Sequence, residues 1–309
     1  MRSVTVRAPA STANLGSGYD AFGLALARHN LVTATFADRN VWEVAVVGGG
    51  EECPPAGRNN LVVIAMRRLF DAVGETRGVS VSCSNAIPFA RGLGSSSAAI
   101  VGGLVAANAL TGAALPAAEL FRLAADLEGH PDNVAAALFG GFTICWNEDG
   151  TSRTTHIDPP RGLAAVVVVS DEKLSTRRAR ALLPATVPHA DAAFEAGRAA
   201  LLAAGLALGR ADLIAPGMND RLHEPYRTAA VTDLEEVRRV LLEAGADGAA
   251  LSGAGPAVIG LVSGADDAAA FEHALDVAER ASGPIALWPG RRAPEAIALD
   301  RDGAVVVTD

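Results

Sequence analysis

Apolar residues recur along this chain with two different periods. Alternating or β-branched runs predict strands at Val4–Arg7, Trp42–Val47, Val79–Cys83, Gly141–Trp146, Leu163–Val169, Ala249–Ser252, Val258–Val262 and Ala304–Val307. Apolar positions three and four apart predict helices at Leu61–Val73, Ser96–Leu110, Pro116–Glu128, Ala190–Leu206, Thr232–Ala244 and Asp266–Ala281. The acidic run Asp233-Leu234-Glu235-Glu236 suits the positive end of a helix dipole. Strands and helices do not alternate regularly, so the pattern predicts an α+β fold and not a doubly wound parallel sheet. Pro159-Pro160 followed by Arg161-Gly162 is the best internal break, dividing the chain into 1–160 and 161–309.

A length of 309 residues suffices for one large domain or two modest ones. With 50% hydrophobic and 5% aromatic residues, the core must be built from Val, Leu, Ile and Ala. The net charge of −9 argues against a nucleic-acid surface or an anionic-membrane anchor, so function is expected in a pocket. No run reaches the roughly 18 apolar residues of a membrane span, and the first residues lack a signal-peptide core. Cys53, Cys83 and Cys145 have no CxxC spacing and are expected to be reduced thiols in the core, in a cytoplasmic protein. Lys173 is the only lysine, and it sits in Asp171-Glu172-Lys173, away from any glycine-rich turn. A P-loop lysine is therefore missing, and a bound phosphate would have to rest on backbone N–H groups, arginine or a metal.

The strongest local signal is the run Pro88, Phe89, Ala90, Arg91, Gly92, Leu93, Gly94, Ser95, Ser96, Ser97, Ala98, Ala99. Two glycines permit a tight turn, and three serines open an apolar helix whose first-turn N–H groups converge with the positive dipole end. That outlines an anion site, although the same turn could serve only to cap a buried helix. A dinucleotide fingerprint fits poorly, because the third glycine position holds Ser97.

This loop resembles the phosphate-binding motif of the GHMP kinases. The resemblance implies a two-domain α+β fold with the active site between the domains, and an ATP-phosphate site formed by Pro88 and residues 90–98. It places Asn60 beside the adenine, where the residue could equally be an N-cap. The segment Ala8–Leu24, with Asn14 and Asp20, resembles the homoserine kinases within that family; otherwise Asn14 reads as a turn residue and Asp20 as a cap. Chemically, Asn14 offers an amide to a hydroxyl and Asp20 a carboxylate to an ammonium.

Further matches follow. In Glu128-Gly129-His130-Pro131-Asp132-Asn133 the resemblance assigns Mg²⁺ to Glu128, together with Ser96 as the second serine of the loop. Mg²⁺ takes hard oxygen ligands and only one or two from protein, so this pair would suffice. His130, Asp132 and Asn133 would line the substrate side, while Asp132-Asn133 could also cap a helix over Val134–Leu138. Thr176 and Arg180 lie four apart on one helical face, and Asn219–Arg227 nominates Arg227; a guanidinium fork suits a carboxylate. Gly253, in Ser252-Gly253-Ala254-Gly255-Pro256, would close over the transfer region, though so short a glycine loop could be a hairpin.

The resemblance thus implies a kinase that moves the γ-phosphate of ATP to L-homoserine with Mg²⁺, often as a homodimer. Glu128, Asp132, Asn133 and Arg180 would be its catalytic residues, with Asp132 orienting more than acting as a base. Asn14, Asp20, His130, Asn133, Thr176, Arg180, Arg227 and Gly253 would hold the substrate. The alternatives are another small-molecule GHMP kinase or a non-catalytic metabolite-binding protein of the same fold.

Overall fold

The computed structural model describes residues 3–37, 41–48, 57 and 59–307; Cys53 lies outside them. Strands β1 (Ser3–Asn14) and β2 (Gly18–Phe36) form a long antiparallel hairpin, with a register shift beside Pro9 where a ladder donor is missing. β3 (Trp42–Gly48) crosses through helix α1 (Leu61–Val73) to β4 (Val79–Asn85) and pairs with it in parallel. Helices α2 (Ser95–Thr111), α3 (Ala117–Glu128) and α4 (Asp132–Phe139) follow, then the hairpin β5 (Phe142–Glu148) and β6 (Thr151–Ile157). β4 pairs with the second half of β2 and β5 with the first half, so one strand serves two neighbours on the same side.

The second half begins with β7 (Leu163–Val168), α5 (Thr176–Arg180), α6 (His189–Leu208), α7 (Ile214–Gly217), α8 (Glu224–Arg227) and α9 (Leu234–Ala244). It continues through β8 (Gly248–Leu251), β9 (Val258–Ser263), α10 (Asp267–Ile285), β10 (Glu295–Ala298) and β11 (Val305–Val307). The second sheet runs β10-β7-β9-β8, all antiparallel, whereas β11 returns to pair with β1 in the first sheet.

The fold is α+β, as the periodicity implied. Three strands escaped that reading. β6 (TSRTTHI) is polar and at an edge, β10 is four residues long, and β2 was missed over its whole length: its first half is largely buried on both faces, which erases alternation, although its second half does alternate. β7 shows how the two halves join. Leu163, Ala165, Val167 and Val169 point into a core shared with Leu24 and Leu26 of β2, while Ala164, Val166 and Val168 face α9 and α10.

Helix α2 is apolar on nearly every side because it is enclosed by the first sheet and by α1, α3 and α4. Its fit against α1 requires glycine. A Cβ at Gly103 would stand 2.6 Å from the Val62 carbonyl oxygen and 3.1 Å from Ala65 Cβ. Gly103→Ala should therefore destabilise by about 1–3 kcal/mol in spite of alanine's better helix propensity. Urea unfolding checks this, and a midpoint at or above the parent's would mean that the two helices part freely.

Candidate active site

Helix α2 starts at Gly94, in the left-handed conformation at φ 65°, and no side chain caps its first turn. The first N–H groups of the helix are therefore available to a ligand. A Cβ at Gly94 would lie 2.0 Å from Ser11 Oγ, so the glycine is required by the packing of β1 as well as by its φ. The loop is stitched on both sides: Ser11 N–H donates to Leu93 O (3.2 Å), Ala257 N–H to Arg91 O (3.1 Å), and Ser252 Oγ to Gly92 O (2.6 Å).

A cavity of about 360 Å³ opens in front of this helix. Of the residues nominated from sequence, its walls contain Asn60, Ala90 to Ser96, Glu128, His130, Asn133, Thr176 and Gly253. Pro88, Ser97, Ala98, Asn14, Asp20, Asp132, Arg180 and Arg227 are not among the lining residues, though several of these bond to residues that are. The Arg91 guanidinium points elsewhere: Nε donates to Ser170 O, Nη2 to Asp171 O and Nη1 to Phe89 O, which anchors the loop and leaves its backbone facing the cavity. Asn60 caps α1 by accepting from Val62 N–H at 2.9 Å, and it also lines the cavity.

The three serines divide their work. Ser96 and Ser97 Oγ donate to Glu128 Oε1 at 2.5 and 2.9 Å, while Ser95 Oγ is buried in the cavity wall with no hydrogen-bond partner among the described residues. A buried hydroxyl without a partner, beside an uncapped helix start, fits a phosphate oxygen. Glu128 Oε1 and Ser96 Oγ form a hard-oxygen pair of the kind that suits Mg²⁺. Among the described residues no three His, Cys, Asp or Glu side chains gather as a metal cluster.

Beside this pair, His130 Nδ1 contacts Asp132 Oδ1 at 3.1 Å, and Nε2 is 3.8 Å from Glu128 Oε1. Burial works against the charged ring, but the Asp132 hydrogen bond and the two carboxylates outweigh it and raise the His130 pKa. Asp132 also accepts from Asn133 N–H at 2.7 Å, so it orients its neighbours. Ser11 Oγ donates to Asn133 Oδ1 at 2.9 Å, which fixes that amide.

A second cluster adjoins the cavity. Asn14 Nδ2 donates to Gly253 O (2.7 Å), and its Oδ1 accepts from Asp20 N–H (3.0 Å). Arg180 makes a bidentate pair with Asp20, 2.8 and 2.6 Å, and donates to Tyr19 Oη at 3.0 Å. Arg227 is buried and donates from Nη1 to Gly253 O and to His223 Nδ1, both at 3.0 Å. The Tyr19 ring lies near both guanidiniums, 5.8 Å from Arg180 and 5.6 Å from Arg227. Sequence reasoning gave Tyr19 and His223 no role, although both stand inside quoted motifs; adjacency to Asp20 was the only available signal for Tyr19.

The GHMP kinases N terminal domain matches residues 60–141, and the GHMP kinases C terminal domain matches residues 192–279. A homoserine kinase of Streptomyces coelicolor is 43% identical over 99% of this chain and 94% of its own length. The chain belongs to the homoserine kinases of the GHMP kinase family. A homoserine kinase of Desulfitobacterium hafniense is 43% identical over 84% of this chain and 87% of its own. The crystal structure of a homoserine kinase from Cytophaga hutchinsonii superposes with a TM-score of 0.89 at 26% identity, covering 99% and 98% of the two chains. A mevalonate kinase of L. major in complex with R-mevalonate, 15% identical at a TM-score of 0.72 over 96% and 95% of the chains, shares the fold.

Buried acids lie behind the arginine cluster. Asp220 accepts from the N–H groups of Leu222, His223 and Glu224, which fixes the start of α8. Glu195 of α6 accepts from Arg221 N–H, and among the described residues no donor reaches its buried Oε1. Burial, then the hydrogen bond and charge of Asp220, push the Glu195 pKa from 4.5 up to about 8. A raised folded-state pKa stabilises fully below 4.5, and that stability is lost as pH rises through 8. Glu224, raised to about 7 chiefly by burial, acts in the same direction, as does His130; His223, lowered to about 4 by burial, acts only below 6.5. Stability, followed by the thermal midpoint, should therefore fall between pH 6.5 and about 8.5, Glu195 contributing no more than about 1.4 kcal/mol of unfolding free energy per pH unit. Glu195→Gln should flatten that slope, and an unchanged slope would mean that Glu195 is ionised throughout the range.

Proposed function

We propose that this chain transfers the γ-phosphate of ATP to the side-chain hydroxyl of L-homoserine, giving O-phospho-L-homoserine for threonine biosynthesis. The observation that carries this reading is the juxtaposition of an uncapped helix start and a Glu128–Ser96 pair with a carboxylate and two arginines. The first set suits a polyphosphate and the second a zwitterionic amino acid.

Phosphoryl transfer asks mainly for positioning and charge neutralisation. The N–H groups at the start of α2 and the Ser95 hydroxyl would receive the phosphates. Glu128 and Ser96 would hold Mg²⁺, which when bound neutralises charge on the β- and γ-phosphates. Asp20 would take the α-ammonium, and Arg180 and Arg227 the α-carboxylate. Arg180 and Asp20 pair with each other, and a zwitterion offers each of them an alternative partner of opposite charge. Asn14, His130, Asn133, Thr176 and Gly253 would surround the side-chain hydroxyl. Asp132 is engaged with His130 and Asn133, which supports an orienting role over general-base action. We place the domain division at 160, with β11 returning to the first unit, and with ATP as donor we expect a cytoplasmic enzyme, as a homodimer.

A coupled ATPase assay with L-homoserine, L-serine, L-threonine and mevalonate should show homoserine as the best substrate. Preference for a substrate without an ammonium would leave Asp20 without purpose and favour another GHMP activity, and no turnover with any of them would favour a binding protein. Glu128→Gln keeps an oxygen for Ser96 and Ser97 but removes the charge, so activity should fall sharply and recover in part at raised Mg²⁺. A variant fully active at low Mg²⁺ would remove Glu128 from the metal site. Arg227→Lys cannot reproduce a bidentate fork and should lose about 1.5–3 kcal/mol, ten- to over a hundredfold in kcat/KM for homoserine, with KM for ATP little changed. Equal weakening of ATP and homoserine would assign Arg227 to the nucleotide instead.

A further inference from the structure

His223 is fully buried between the hairpin turn of β1 and β2 and helix α8. Its two ring nitrogens have unlike partners. Nε2 lies 2.8 Å from the Gly16 carbonyl oxygen, and Nδ1 lies 3.0 Å from Arg227 Nη1. A carbonyl can only accept and a guanidinium can only donate, so Nε2 carries the hydrogen and Nδ1 presents its lone pair. Burial keeps the ring neutral, with a pKa of about 4, which preserves that lone pair at working pH.

Arg227 is only 2% exposed, and both named partners of its guanidinium meet Nη1: His223 Nδ1 and the Gly253 carbonyl. That carbonyl also accepts from Asn14, so it is saturated. Among the described residues, the buried Arg227 Nε has no hydrogen-bond partner. One edge of the guanidinium is thus pinned, and the donors on the remaining side are kept for something else. An arginine held by one acceptor alone could rotate about its terminal bonds; two acceptors on Nη1 restrict the plane of the fork.

We propose that His223 is a positioning residue, locking the Arg227 guanidinium so that its free donors face the substrate carboxylate. This rests on the reading of Arg227 as a carboxylate ligand given above, and Arg227→Lys tests that reading separately. His223 is also the mechanical link between the first motif and α8, since the same ring holds Gly16 and Arg227.

The test compares three substitutions by steady-state kinetics, with KM measured for each substrate, and by thermal unfolding. His223→Asn retains an acceptor close to the position of Nδ1; His223→Gln reaches toward Gly16 but gives up that acceptor; His223→Phe offers neither. The Gln and Phe variants should raise KM for L-homoserine about tenfold, with KM for ATP and kcat within about twofold, and Asn should stay within about threefold of the parent. Should His223→Phe fail to fold, the contrast between Asn and Gln decides alone. The proposal is overturned if Asn and Gln behave alike, or if both KM values drift together in proportion to lost thermal stability. If Arg227→Lys leaves KM for homoserine intact, the substrate assignment itself fails, whatever the His223 variants do.

Discussion

The shared core between the two halves is the constraint on which the site depends. Alternate residues of β7 and β9 meet Ala8, Ala10, Leu15, Leu24 and Leu26, so the inner ends of β1 and β2 are buried between the second sheet and α2. Apolar burial of this kind is non-directional, but it fixes distances that hydrogen bonds can then use. The glycine-serine loop bonds to β1 on one side and to the 252–257 loop on the other. Asn14, Asp20 and Gly16 are carried on the turn that leaves the same core. The turn is itself bent, since Asn14, Leu15 and Asp20 all have positive φ; for leucine that conformation is held by its surroundings.

The parts of the site that were legible in the sequence are local. The serine run, the Glu128 turn and the apolar helix behind them lie within about fifty residues, and their spacing reflects one loop and two helix ends. Strands β7, β8 and β9 of the second sheet were equally legible as continuous apolar runs, whereas the short β10 was not. Contacts between distant segments were not. Arg180 pairs with a residue 160 positions away, and His223 with one 207 positions away. Nothing in the periodicity of either segment encodes its partner, because periodicity reports which face is buried and not what covers it. Arg91 shows the converse: its motif position suggested a phosphate ligand, yet its guanidinium bonds to backbone carbonyls.

With one lysine in the chain, nearly all cationic bonding falls to arginine, and the structure shows what that permits. Arg291 joins Asp233 and the Pro256 carbonyl; Arg301 joins Asp267 to the carbonyls of Pro159 and Pro160. Each is a planar fork reaching acceptors on separate segments, which a single ammonium on a flexible stem holds less rigidly. These bridges close the loops around the second sheet and tie the 159–160 turn to α10. Cys145 of β5 contributes no such chemistry: burial pushes its thiol up to about 12, so it stays protonated and packs in the first core as a small, largely apolar residue.

Two histidines of the site region carry opposite proton affinities, and the difference follows from what surrounds each. His130 stands between two carboxylates that overcome its burial, whereas His223 has a guanidinium on one side and complete burial. The Asp220 carboxylate, 3.8 Å from Nε2, favours the charged ring without reversing that balance. If the two environments were exchanged, the ring with the raised proton affinity would face Arg227 and the one held neutral would face Glu128, each the wrong partner for its neighbour. The existing order puts positive character beside the acidic residues near the phosphate loop, and a lone pair where a cation must be steered without being repelled. The raised proton affinity beside Glu128 and the neutrality beside Arg227 are thus consequences of packing, settled by the same burial that joins the two sheets.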